Sequence, residues 1–280
     1  MTLTQHDAIE QRSPEWHDQR RGMVTASAVG RLISVRPASA VDHDCPDCGA
    51  TASELCWSKT KKTEHNKTFH AQRTDYAVEH ASELPPRIDV ADNDTSAALT
   101  LLLTAERISG WTDPSFINDD MMRGILDEPL AIEKYHENYH PVTTTGFMVR
   151  DDWGFDIGFS PDGLVSALVG DEGIVEVKSR RQKKHVQTIL SGSVPAENMA
   201  QLQCGLLVSG RKWADYISFC SGLPLWVKRV QPDPAWFRAI IAAVQAFEDT
   251  SGQMVSDYLA AVDGLPTTER IDHFAEMEMS

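Results

Sequence analysis

No stretch of the 280-residue chain approaches the roughly 18–20 consecutive apolar residues that a membrane-spanning helix requires. The N-terminus, MTLTQHDAIEQRSPEW, has neither a basic start nor an apolar stretch. No secretion signal is read there, and a soluble cytoplasmic protein with no membrane association is expected. Cysteine is scarce, with five in all, and three of them (Cys45, Cys48, Cys56) fall close together while Cys204 and Cys220 stand apart. An odd, clustered set is a poor disulfide framework and a better metal site. The two outliers read as small buried apolar residues. A net positive charge is also missing. The formal charge of −15 excludes a protein that coats nucleic acid passively, but not an enzyme that grips phosphates locally. Internal repeats and low-complexity segments are absent. What remains is a chain with 41% hydrophobic residues, enough for one large core or two modest domains.

Local signals divide the chain. Ser13-Pro14-Glu15 is a helix start, a capping residue followed by proline at the first helical position. Thr25-Ala26-Ser27 caps a second short helix through Leu32. Residues 35–75 are polar, hold the cysteine cluster and lack apolar periodicity, so they read as an insertion. Residues 76–110 read as helix broken at Pro85-Pro86. Met121, Ile125, Ile132 and Tyr135 mark a helix over 116–139, with a kink or restart expected at Pro129. Residues 142–149 are rich in β-branched side chains. Gly154–Val165 and Ile174–Val177, around Gly170-Asp171-Glu172-Gly173, predict a hairpin. Residues 196–209 and 234–259 return to helix, the second with an apolar stripe of Phe237, Ile240, Ile241, Val244 and Phe247. The expected organisation is 1–34 as the N-terminal part of the main domain, 35–75 as the insertion, 76–262 as the core and 263–280 as a mobile tail.

The pattern with most chemical content is Pro161-Asp162 followed by Glu176-Val177-Lys178. Side chains alternate along a strand, so Glu176 and Lys178 share a face, and the preceding hairpin strand brings Asp162 beside them. Two carboxylates and the Val177 carbonyl make an oxygen site suited to Mg²⁺ or Mn²⁺, with one or two ions. Such a site polarises a phosphoryl oxygen, acidifies a bound water and stabilises a leaving oxyanion. The lysine orients the water or, beside a metal cation, shifts toward acting as a base. Glu128, on the helix before the sheet, adds a third acid.

The cysteine segment, Asp44-Cys45-Pro46-Asp47-Cys48-Gly49-Ala50, is a tight knuckle in which Gly49 allows backbone amides to face the thiolates. Cys45, Cys48 and Cys56 with one histidine would close a tetrahedral, structural Zn²⁺ site. His65 and His70 are both available. The stretch Phe69-His70-Ala71-Gln72-Arg73 resembles short zinc-binding modules of phage-encoded proteins, which favours His70. Zinc would order a polar insertion that has no core of its own. Lys59, Lys61 and Lys62 lie near enough to bring the insertion onto DNA.

RSPEWHDQRRGMVTAS, RGILDEPLA, GFSPDGLV, VEVKS and NMAQLQCGLLVSG occur in this order. Together they resemble the YqaJ-type viral recombinase family, that of phage lambda exonuclease, within the PD-(D/E)xK nuclease superfamily. The resemblance covers residues 12–34 and about 106–250. It implies an α/β fold with a central mixed sheet, helices on both faces and a small inserted zinc-binding module. It also implies roles. Asp162 and Glu176 would hold the metal, Lys178 would be the catalytic lysine, and Glu128 and Gln201 would position the metal and its water. Arg20, Ser27 and Ser160 would hold a terminal 5′-phosphate, with Arg21 an alternative to Arg20. The implied activity is a magnesium-dependent 5′-to-3′ exonuclease on double-stranded DNA ends, leaving 3′ single strands for phage recombination in the host cytoplasm. A homotrimer and a single-strand annealing protein are the implied partners. The alternatives are an endonuclease or single-strand exonuclease on the same core, and a DNA-binding adaptor without catalysis.

Overall fold

The computed structural model describes residues 2–61, 64–114, 117–168 and 171–271. Lys62, Phe116, Gly170 and the last nine residues of the tail lie outside the described residues. The elements run β1 (Leu3–His6), α1 (Pro14–Arg20), α2 (Ala26–Val29), β2 (Ile33–Arg36), α3 (Ala71–Glu79), β3 (Arg87–Val90), α4 (Asp94–Ser109) and α5 (Asp119–Asn138). They continue with β4 (Val142–Thr143), β5 (Phe147–Arg150), β6 (Ile157–Phe159), β7 (Gly163–Leu168), β8 (Asp171–Ser179), α6 (Gln182–Ser191), α7 (Ala196–Ser209), β9 (Trp213–Phe219), β10 (Trp226–Val230) and α8 (Pro234–Ala261).

The central sheet has the order β10-β9-β8-β7-β4. Strand β8 is its axis, parallel to β9 and antiparallel to β7. Alternation along β8 divides the molecule into two layers. Ile174 packs with α7 and α8 residues such as Leu202, Leu206 and Ile240. Val175 and Val177 point the other way, onto Ala131 and Tyr135 of α5. Each such fully buried large side chain contributes roughly 1.5–3 kcal/mol of transfer free energy. Helix α7 lies tight on the sheet because Gly205 has no side chain. A Cβ there would come within 2.8 Å of the Phe159 ring and 2.9 Å of Ile174.

The expected single strand over 154–165 is divided. Strand β6 pairs with β5 in a separate sheet, β1-β5-β6, whereas β7 belongs to the central one. The break falls at Ser160-Pro161-Asp162, where proline has no N–H to continue a ladder. Gln11 Nε2 pins this bend by donating to the Pro161 carbonyl at 2.9 Å. The hairpin between β7 and β8 forms, but Asp171, Glu172 and Gly173 belong to β8 and are not its turn. Residues 142–149 likewise form two strands in two sheets. Helix α5 runs without restart through Pro129.

Three further elements differ from the expected pattern. Pro85-Pro86 leads into β3, which pairs with β2, and does not restart a helix. The paired strands β2 and β3 frame residues 37–86, which hold the cysteine cluster and α3. Helix α6, which no sequence signal marked, carries Lys183 and Lys184 and buries His185 and Thr188. Strand β9 is buried at every position, which erases the alternation by which a strand is recognised.

Candidate active site and metal centre

Glu176 lies in the middle of β8 with its side chain 3% exposed. Its Oε1 receives two hydrogen bonds, from Lys178 Nζ at 2.6 Å and from Gln201 Nε2 at 2.6 Å. Asp162, in the bend before β7, accepts from the Val177 backbone N–H at 2.6 Å, which locks the bend to the strand carrying Glu176. Burial, then the charges of Glu176 and Glu128, hold the Asp162 carboxyl well above its ordinary range. Burial also raises that of Glu176, against the pull of Lys178 and Gln201. Burial alone would lower the Lys178 ammonium, but Glu176 and Asp162 outweigh it and keep the group charged.

The donor set fits a divalent cation. Asp162 and Glu176 lie near enough for the Glu176 charge to raise the Asp162 carboxyl, Lys178 bonds Glu176, and oxygen ligands are what Mg²⁺ and Mn²⁺ prefer. Glu128, on α5, borders the same groove as Asp162 and is paired with Arg12 Nη2 at 2.6 Å.

Beside these groups is a cleft of about 150 Å³ lined by Arg12, Trp16, Arg20, Ser27, Ser160 and Gln201, among others. It brings together the residues read as a phosphate pocket and one residue of the carboxylate site. The Arg20 guanidinium stacks on the Trp16 ring at 3.8 Å. It donates to the hydroxyls of Ser160 and Ser27, each at 3.2 Å. Among the described residues no carboxylate lies within ion-pair distance of it. Burial pulls its pKa down to about 10, with Glu106 opposing, so it stays charged at neutral pH. Ser160 Oγ accepts from both Arg20 and Trp16 Nε1, at 2.7 Å for the latter, which leaves its O–H free to donate. Arg21 turns away and pairs with Asp18. Of the two candidate arginines, Arg20 occupies the cleft.

The cysteine segment is the second centre. Cys45, Cys48, Cys56 and His70 present ligand atoms within 4.8 Å of one another. His70 Nδ1 lies 3.5 Å from Cys45 Sγ, and its Nε2 is 3.0 Å from the Asn66 amide. His65 stacks on Trp57 and bonds the Leu55 carbonyl, outside the cluster. Gly49 has φ +70, the left-handed turn the knuckle needs. Burial raises the Cys45 thiol. Burial opposes ionisation of Cys48 and Cys56 too, but N–H donors outweigh it and lower them, from Ala50 and Trp57 for Cys48 and from His70 and Arg73 for Cys56. Arg73 is fully buried and ties the loop together, donating to the carbonyls of His43, Glu54 and Thr51 at 2.7–3.0 Å. Lys59 and Lys61 are paired with Asp47 and Glu64.

Trp16, Arg12 and Arg73 are the residues that sequence reasoning passed over. Trp16 was visible in the SPEW stretch, four residues before Arg20, at the helical spacing that permits stacking. The partners of Arg12 and Arg73 are set by distant contacts and left no local mark.

A bent strand delivering an aspartate to an E-x-K strand, with a glutamine helix above, defines a nuclease core of the PD-(D/E)xK class. Within that class the chain matches the YqaJ-like viral recombinase domain over residues 15–212, and it belongs to that family. Its fold is similar to that of an alkaline exonuclease, LHK-Exo, from Laribacter hongkongensis. That structure is 24% identical with a TM-score of 0.59, and LHK-Exo in complex with dAMP is 25% identical with a TM-score of 0.60. Each comparison covers 91% of this chain and 100% of the other. No curated protein matches the chain.

Proposed function

We propose that this protein is a metal-dependent exonuclease that degrades double-stranded DNA from 5′ ends and leaves 3′ single strands for phage recombination. The observation that carries the reading is the shared cleft. Gln201, bonded to Glu176, lines the same cavity as Arg20, Ser27 and Ser160. An unpaired guanidinium with two hydroxyls is a receptor for a terminal phosphate. Placed beside the carboxylates, it would set the first phosphodiester of a 5′-phosphorylated strand at the reactive groups. The resemblance to a structure obtained with dAMP, a deoxynucleoside 5′-monophosphate, supports the same ligand chemistry.

Asp162, Glu176 and the Val177 carbonyl would hold Mg²⁺ or Mn²⁺, as one or two ions. The bound metal supplies Lewis acidity toward the phosphoryl oxygen and a more acidic water. The protein's own residues do the rest. Gln201 and Lys178 fix the Glu176 carboxylate, Lys178 adds a positive charge where the phosphorane charge develops, and Glu128 orients water at the groove. Cys45, Cys48, Cys56 and His70 would hold a structural Zn²⁺ ion. The Asn66 amide, 3.0 Å from His70 Nε2, braces the ring from outside the cluster, as outer contacts do for metal-binding histidines. The reading extends to a homotrimer acting in the cytoplasm with a single-strand annealing protein, as family membership suggests.

The test is 5′-phosphorylated linear duplex with Mg²⁺, beside Lys178→Ala. Release of mononucleotides from the 5′ end by wild type and not by the variant is expected. No release, or equal release by both, overturns the reading. Cleavage of closed circles would make the enzyme an endonuclease.

A further inference from the structure

Beyond the scissile site, Arg180 is built as a phosphate contact of its own. Its backbone N–H donates to the Phe219 carbonyl at 2.8 Å, continuing the β8–β9 ladder one step past Ser179. The alternation of β8 therefore persists, and Glu176, Lys178 and Arg180 project from one face. Ser179 points to the other, where it meets Asp127 of α5 at 2.6 Å. Arg180 stands one same-face step from Lys178, roughly 7 Å along the strand.

Its guanidinium is held by neutral groups. Nη2 donates to Asn198 Oδ1 at 2.6 Å and to the Tyr216 hydroxyl at 3.1 Å. Both partners are buried, so the group is fixed before any ligand arrives. Asn198 is one turn before Gln201 on α7, so the helix face that holds Glu176 holds Arg180 as well. No carboxylate among the described residues lies within ion-pair distance of Arg180. By contrast, Arg181 pairs with Asp120 at 2.8 Å and Lys184 with Glu197 at 2.7 Å. Nη1 has no hydrogen bond among the described residues and is not among the buried unpartnered atoms, so its two N–H groups reach solvent. In a chain of charge −15, a rigid arginine without an acid partner is a site waiting for an anion.

We propose that Arg180 binds the DNA backbone phosphate adjacent to the scissile one, fixing the register of the strand across Glu176 and Lys178. The proposal rests on the nuclease reading for its substrate. Contact through a phosphate carries no base information, so it would hold position on any sequence.

Two arms test it. In binding, wild type and Arg180→Met are titrated with 5′-phosphorylated duplex in Ca²⁺ across a salt series. The variant should bind about tenfold more weakly, with the salt slope reduced by about one. In cleavage, a neutral methylphosphonate is placed in turn at each phosphate near the scissile bond. Wild type should lose about tenfold in kcat/KM at the neighbouring position, and Arg180→Met should be indifferent to that one substitution. Arg180→Lys, which keeps the charge but not the fork, should fall between them. If Arg180→Met fails to fold, Arg180→Lys and the substrate scan on wild type still decide. An unchanged salt slope, or an equal penalty at every phosphate in variant and wild type, overturns the proposal. Absence of cleavage by wild type would instead overturn the nuclease reading, and the binding arm would still judge Arg180.

Discussion

Gln201 and Glu176 lie 25 residues apart and meet at 2.6 Å through one amide–carboxylate hydrogen bond. The bond ties α7 to the middle of β8, and it uses the same Glu176 oxygen that receives Lys178. Removing Lys178 or the Glu176 charge should therefore disable chemistry while leaving end binding intact. Lys178→Ala and Glu176→Gln are expected to lower kcat at least about 100-fold. Equilibrium binding of duplex to each variant checks that the loss is catalytic.

Packing of α7 should matter as much as its side chains. Gly205 sits one turn after Gln201 with the Phe159 ring against it. Gly205→Ala should lift the helix off the sheet and weaken the Gln201–Glu176 bond. Overpacking of this kind costs about 1–3 kcal/mol. A fall in kcat larger than the change in KM, together with a lower Tm, is the expected pair of readouts.

Crowded acids lower the stability of the site. Asp162 is raised by burial and by two neighbouring carboxylates, so Asp162→Asn should stabilise the metal-free protein while abolishing activity. A Tm increase of roughly 2–4 °C corresponds to about 1 kcal/mol for a chain of this size. Calorimetry without divalent cations provides the check, and a lower Tm would contradict it.

Arg20 should confer preference for a 5′-phosphate. Arg20→Lys loses the fork that reaches Ser160 and Ser27 together. The ratio of rates on 5′-phosphoryl and 5′-hydroxyl duplex should shrink by about 10- to 100-fold, the worth of a charge-assisted contact. An unchanged ratio would move phosphate recognition elsewhere.

Metal analysis should find about one zinc per chain, lost in Cys48→Ser and His70→Ala and kept in His65→Ala. The insertion's base has a separate acid sensitivity. Burial works against ionisation of Asp42, but Arg36, the Ser39 N–H and Arg87 together hold its carboxyl below the ordinary range. A depressed folded pKa stabilises fully above the unfolded value, about 4. That contribution is lost as pH falls below 4 toward the folded pKa. Asp42→Asn should flatten the acid limb of a Tm–pH profile.

Sequence by itself determined the chemistry-bearing short motifs and several helices. The two-residue period of Glu176-Val177-Lys178 puts acid and lysine on one face whatever surrounds them. Ser13-Pro14, the cysteine knuckle around Gly49, and the stripe of α8 are local signals with local causes. Tertiary structure alone decided the rest. Strand β9 is buried on both faces and so shows no alternation. Pro161 splits one apolar run between two sheets because the missing N–H ends a ladder. The sequence favours Arg20 and His70, but the contacts of Arg20 with Ser160 and of His70 with Cys45 arise only in the fold. Hydrogen bonds across 116 residues, as from Arg12 to Glu128, leave no periodicity to read. Glu176 and Lys178 were legible together because strand geometry is local, while the bend that ties Asp162 to their strand, and the cleft that joins them to Arg20, exist only once the sheets and α1, α2 and α7 have packed.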